Sequence, residues 1–133
     1  MARVPSNDDP GAEARPLGVL VADDEPSVRA LLSAVLSRAG MRVWLAADGE
    51  EAVALHLANR DAVDVAVLDV RMPRLSGPEA LARMRELRPG LPCVFMTGYA
   101  GAGGERALEG TVLPKPFAID DVVAAVRRAA AAW

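Results

Sequence analysis

The sequence predicts an α/β fold: an open, doubly wound parallel sheet of five strands with helices on both faces. Five short apolar runs recur along the chain, LGVLVA (17–22), RVWLA (42–46), VDVAVL (63–68), PCVFM (92–96) and TVLP (111–114). Their continuous apolar character suits strands buried on both faces of a sheet. Amphipathic stretches separate them, and a strand–helix alternation of this kind implies right-handed βα crossovers.

The elements follow in order. Met1 to Pro16 is rich in proline, charge and small polar residues, lacks periodicity, and is expected to be a disordered tail. The folded domain is expected over 17–133. After the first run, Val28, Leu31, Leu32, Val35 and Leu36 fall on one helical face, with Pro26 placed to open that helix and Gly40 to end it. Asp48 with Glu51 opens a second helix, and Ser76 with Glu79, around Pro78, opens a third, both at capping-box spacing. In the last helix Ile119, Val122, Val123 and Val126 share a face. Asp120 and Asp121 stand at its start, with Arg127 and Arg128 towards its end, each on the favourable side of the helix dipole.

Bulk properties set bounds. A chain of 133 residues leaves no room for a second domain of ordinary size, so a single domain, standing alone or taken from a longer protein, is expected. The net charge of −3 gives no electrostatic reason to expect nucleic acid as a direct ligand. The single cysteine, Cys93, excludes an internal disulfide and suits a reducing compartment. The sequence has no apolar run long enough to span a membrane and no signal-peptide stretch, so a cytoplasmic location without membrane partners is expected.

In doubly wound sheets the ligand crevice lies at the carboxyl ends of the strands. The first run ends in Asp23-Asp24-Glu25, the third in Asp69, the fourth in Thr97-Gly98 and the fifth in Lys115-Pro116. Carboxylates from two strands, a hydroxyl and an ammonium are thus expected on one edge. Clustered carboxylates hold a proton or bind a cation, and an all-oxygen donor set at an open site favours Mg²⁺. Lys115 is the only lysine in a chain that otherwise uses arginine. A compact ammonium serves as a point charge on phosphate in a way a planar guanidinium does not. His56, the only histidine, falls inside the second helix and is expected at the surface.

These segments resemble the receiver domain of two-component response regulators. VLVADDEPSVRALL (19–32), VAVLDVRMPRLSGPEAL (65–81), VFMTGYA (94–100) and LPKPF (113–117) match in family order and spacing, from Leu17 to about Ala130. The resemblance implies a flavodoxin-like (βα)5 fold with strand order 2-1-3-4-5. It implies Asp69 as the phosphoacceptor, forming an acyl phosphate. Asp24 would hold Mg²⁺ directly, Asp23 mainly through water, and Asp69 and the backbone carbonyl of Arg71 would complete the protein ligands. Thr97 would donate its hydroxyl to a phosphoryl oxygen, Lys115 would pair with the phosphoryl charge, and the Lys115–Pro116 bond would be cis. No organic cofactor is implied. The donor would be the phosphohistidine of a histidine kinase or phosphotransfer protein, and phosphorylation would switch binding to a downstream effector that the sequence does not name.

The chain departs from the family in two places. Val112 stands where many members carry a switch aromatic, and the segment 101–110 is rich in glycine and poor in helix formers. Phe95, Thr97, Gly98 and Tyr99 resemble a receiver subclass with a Phe-x-Thr-Gly-Tyr motif. Arg71 and Tyr99, two positions after Asp69 and Thr97, are bulky and unsuited to orienting water, so slow self-dephosphorylation is expected. Three rival readings compete with this one. An aspartate phosphatase would carry a second Asp where Arg71 stands. A dinucleotide site would carry glycines where Asp23-Asp24-Glu25 stands. A pseudo-receiver, acting only as a docking or dimerisation module, would not need the full set of site residues.

Overall fold

The computed structural model describes residues 15–98 and 111–131. Most of the expected tail, Tyr99 and the glycine-rich 101–110 segment lie outside the described residues. Among the described residues the elements are, in order, β1 (Gly18–Ala22), α1 (Pro26–Arg38), β2 (Arg42–Ala46), α2 (Gly49–Ala58), β3 (Val65–Asp69), α3 (Gly77–Leu87), β4 (Cys93–Thr97), β5 (Thr111–Pro114) and α4 (Ile119–Ala131). The strands form one sheet in the order β2-β1-β3-β4-β5. Every pairing is parallel, with Val19 opposite Val43 and Val65, Leu68 opposite Phe95, and Phe95 opposite Val112.

Successive strand residues point to opposite faces, so each apolar run supplies two cores. Val19, Val21, Val65, Val67, Val94 and Met96 pack under α1 and α4, against Leu32, Leu36, Val122 and Val126. Leu20, Ala66, Leu68, Cys93 and Phe95 face the other way, against Ala52 of α2 and Ala80, Leu81 and Met84 of α3. This two-sided burial explains why β1, β3 and β4 read as unbroken apolar runs: all their residues are buried. β2 differs. It lies at an edge, and only Ala46 of its five residues is buried.

Helix boundaries follow local chemistry. Pro26 occupies the first turn of α1, and Gly40 takes φ 88° just past its end. Ser76 and Glu79 form a complete capping box, the hydroxyl accepting from the Glu79 N–H and the carboxylate from the Ser76 N–H. Asp48 caps α2 by accepting from the Glu51 N–H, but the Glu51 carboxylate accepts from Ala47 N–H rather than closing the box on Asp48. The apolar stripes are narrower than their spacing suggests, because Leu31 of α1 and Ile119 of α4 stay exposed.

One expectation is corrected. His56 is fully buried rather than at the surface. Gly49, Ala52 and His56 form the buried stripe of α2. The two small residues bring the helix close to its neighbours, and the imidazole is enclosed one turn further on.

Candidate functional site

The polar residues that follow the apolar runs meet at the carboxyl end of the sheet. Strand order brings them together, since β3 lies between β1 and β4, with β5 beyond β4. Asp23 follows the last residue of β1, Asp69 ends β3, Thr97 ends β4, and Lys115 follows β5. Ligand oxygens of Asp23, Asp24 and Asp69 lie within 4.8 Å of one another, a donor set compatible with a metal ion. Asp23, Asp69 and Thr97 are buried while Asp24 is exposed. The cluster therefore has a buried floor and an exposed side.

Local structure holds each group in place. Asp23 N–H donates to the Ala46 carbonyl at 3.1 Å, continuing the β1–β2 ladder one step past the strands. The Asp23 carboxylate accepts from Glu25 N–H at 2.9 Å, which turns the chain into α1. Arg29, one turn into α1, donates to the Asp23 carbonyl at 2.8 Å. Lys115 N–H donates to the Thr97 carbonyl at 2.7 Å, and the Lys115–Pro116 bond is cis. On the far side of Asp69, Gly77 N–H donates to the Val70 carbonyl, and a Cβ on Gly77 would clash with the Asp69 backbone carbonyl. Only glycine lets α3 begin this close to the site.

The ammonium of Lys115 reaches 2.9 Å from Asp23, 3.5 Å from Asp69 and 3.7 Å from Glu25. Burial alone would lower its pKa, but the bond to Asp23 and the charges of Asp69 and Asp23 outweigh that and raise it. Lys115 thus stays a cation. Asp69 is pushed up to about 6, first by burial and then by the Asp23 charge, while Lys115 and the Arg71 N–H pull the other way. The Lys115 ammonium faces three aspartates and does not balance them by itself. A divalent cation bound among the carboxylates would supply the remainder, so the residues present fit a metal. A cavity of about 270 Å³ opens over the site, lined by Glu25, Asp69, Val70, Arg71, Thr97, Gly98 and Lys115.

All the residues anticipated on this edge thus come together: Asp23, Asp24, Asp69, Arg71, Thr97 and Lys115. Tyr99 lies outside the described residues. Two participants went unanticipated, the Arg29 bond to the Asp23 turn and the approach of Glu25 to Lys115. Glu25 was placed at this edge with the aspartate pair, but its approach to Lys115 was not foreseen. Arg29 gave no signal, since an arginine one turn into a helix reads as solvated surface.

A family model described as the response regulator receiver domain matches residues 19–127. The chain belongs to the response regulator receiver family. This receiver is 38% identical over 125 residues to the probable transcriptional regulatory protein TcrX of Mycobacterium tuberculosis, covering 87% of this chain and 50% of TcrX. It is 40% identical over 116 residues to response regulator MprA of Mycolicibacterium vanbaalenii, covering 84% of this chain and 49% of MprA. The receiver thus spans about half the length of the curated relatives it matches. Among solved structures, Vibrio cholerae chemotaxis protein CheY4 matches with a TM-score of 0.78 at 31% identity, covering 86% of this chain and 98% of that one. A response regulator receiver domain protein from Clostridium thermocellum gives 0.79 at 26% identity, covering 87% and 95%. The family is that of the receiver domains of two-component response regulators, which accords with a part in phosphorelay signalling. None of its described helices is long and apolar enough to cross a membrane.

Proposed function

We propose that Asp69 accepts a phosphoryl group from the phosphohistidine of a histidine kinase or phosphotransfer protein, and that the charge so placed switches binding to a downstream effector. The observation that carries this is the position of Lys115, whose ammonium reaches 2.9 Å from Asp23 and 3.5 Å from Asp69 at the rim of the carboxylate cluster. Asp23, Asp24, the Asp69 carboxylate and the backbone carbonyl of Arg71 would hold Mg²⁺. The ion, when bound, neutralises charge on the site and on the transferred group. Asp69 must be ionised to attack phosphorus. Beside a cation its carboxyl group loses the proton that burial and Asp23 favour. Lys115 then pairs with one phosphoryl oxygen, and the Thr97 hydroxyl donates to another. Positioning and charge neutralisation supply most of what phosphoryl transfer needs.

Catalysis is confined to the domain's own phosphorylation and dephosphorylation, and the setting we infer is the cytoplasm. With a net charge of −3, the domain exerts its output through protein contacts rather than by holding nucleic acid itself. Acetyl phosphate should add one phosphoryl group in the presence of Mg²⁺, seen by intact-mass measurement, and none after chelation. Asp69→Asn should take up no label, and Asp24→Ala should weaken Mg²⁺ binding by about tenfold or more. Equal labelling of Asp69→Asn would move the nucleophile elsewhere, and no labelling of wild type by any phosphodonor would favour a pseudo-receiver.

A further inference from the structure

Phosphoryl transfer to Asp69 leaves one carboxylate of the cavity without a task. Glu25 sits at the N-cap of α1, where a side chain ordinarily accepts a hydrogen bond from the first turn, yet it makes no such bond. Its carboxylate lies instead 3.7 Å from the Lys115 ammonium and lines the cavity together with Asp69 and Thr97. Asp23 and Asp69 already occupy that ammonium at shorter range. Glu25 therefore adds negative charge at the mouth of the site, and its side chain contributes no cap to the helix it begins.

We infer that Glu25 is a specificity-determining residue, an anionic gate that disfavours phosphodonors in proportion to their negative charge. The inference rests on the reading of Asp69 as phosphoacceptor. Glu25 lines the cavity in which the phosphorus of a donor would approach Asp69. The repulsion scales with the charge of the incoming group and is screened by salt, because Glu25 is 61% exposed. A donor presented by a protein can offset the repulsion with basic groups of its own, whereas a small free phosphate ester cannot. The gate thus favours the protein donor over adventitious metabolites.

Two small donors of different charge isolate the effect. With acetyl phosphate, a dianion at pH 7, an Asp69 oxygen bonds to phosphorus as the P–O bond to the acyl group breaks, and acetate leaves. With phosphoramidate, a monoanion whose nitrogen already carries its protons, the P–N bond breaks and ammonia leaves. Removing one negative charge from the mouth should speed the dianion by about tenfold and the monoanion by about threefold at low salt.

The experiment measures labelling rates for both donors, with saturating Mg²⁺, in wild type, Glu25→Gln, Glu25→Asp and the distant surface control Glu86→Gln. The expected result is a ratio of acetyl phosphate to phosphoramidate rates raised about threefold in Glu25→Gln alone. That difference should vanish near about 1 M salt, and Glu25→Asp, which keeps the charge, should keep the wild-type ratio. An unchanged ratio in Glu25→Gln overturns the gate. So does a rise shared by Glu25→Asp or Glu86→Gln. Failure of wild type to be labelled at Asp69 by either donor is a different result, since it removes the phosphoacceptor reading and the gate with it.

Discussion

The imidazole of His56 is fully enclosed, and among the described residues neither of its ring nitrogens has a hydrogen-bond partner. Burial, and then the charges of Arg88 and Arg60, hold its pKa below the ordinary 6.5. The ring is therefore neutral in the folded protein at pH 7. In the unfolded chain it takes a proton as pH falls through 6.5, whereas the folded chain resists doing so. Its share of stability is complete above 6.5 and is lost progressively as pH falls towards the depressed folded value. A buried polar group left unpaired costs about 1–3 kcal/mol, so His56→Leu should stabilise the protein by about that amount at pH 7.5. The gain should grow on acidification, measured by urea unfolding from pH 7.5 to 5. A destabilised His56→Leu protein would mean that the imidazole is paired in solution. The sequence carried the signal for this burial in the 49/52/56 spacing. Leu55 and Leu57 obscured it, because their larger apolar side chains suggest a different buried face, yet Leu57 is 55% exposed.

The start of α3 couples a helix to the site. The complete capping box of Ser76 and Glu79 predicts a loss of about 1 kcal/mol for Ser76→Ala, with little effect on Asp69 chemistry. Gly77→Ala should behave differently. Its Cβ would press on the backbone carbonyl of Asp69, so it should cost about 2 kcal/mol or more and slow acetyl phosphate labelling as well. Calorimetry and labelling rates of the two variants check this, and a Gly77→Ala protein with normal labelling would uncouple the helix start from the site. Most of this architecture was legible beforehand. Strand identity, helix starts and the shared edge all follow from apolar runs, caps and the residue after each run. What escaped depends on neighbours rather than spacing. RVWLA reads like the central runs, but β2 lies at an edge of the sheet and stays largely open. Leu31 and Ile119 have the period of a buried stripe and yet stay exposed.

Across the whole molecule, parallel strands deliver their carboxyl ends to one edge, so folding itself gathers the acidic side chains. The Asp69 carboxyl rises from 3.8 to about 6, with burial the larger cause and Asp23 the next. At pH 7.5 it is ionised in both folded and unfolded chains, and the folded state carries the cost, about 3 kcal/mol for a rise of this size. As pH falls through about 6 the folded carboxyl takes a proton while the unfolded one does not. Stability should therefore rise from pH 7.5 down to about 4, the reverse of the ordinary carboxylate case. His56 opposes this trend over part of the same range, so the measurement belongs in the His56→Leu background. There, metal-free protein should gain about 1–2 kcal/mol between pH 7.5 and 5. Adding Asp69→Asn should supply the gain already at pH 7.5 and flatten the profile. Millimolar Mg²⁺ should stabilise the Asp69 protein at pH 7.5 by mass action, with an advantage that shrinks on acidification as protons compete for the same oxygens. It should stabilise the Asp69→Asn protein far less, since one ligand oxygen has lost its charge. A metal-free profile that falls on acidification in the His56→Leu background would show that Asp69 is not the strained carboxylate. Equal Mg²⁺ stabilisation of both proteins would show that the ion does not rest on Asp69.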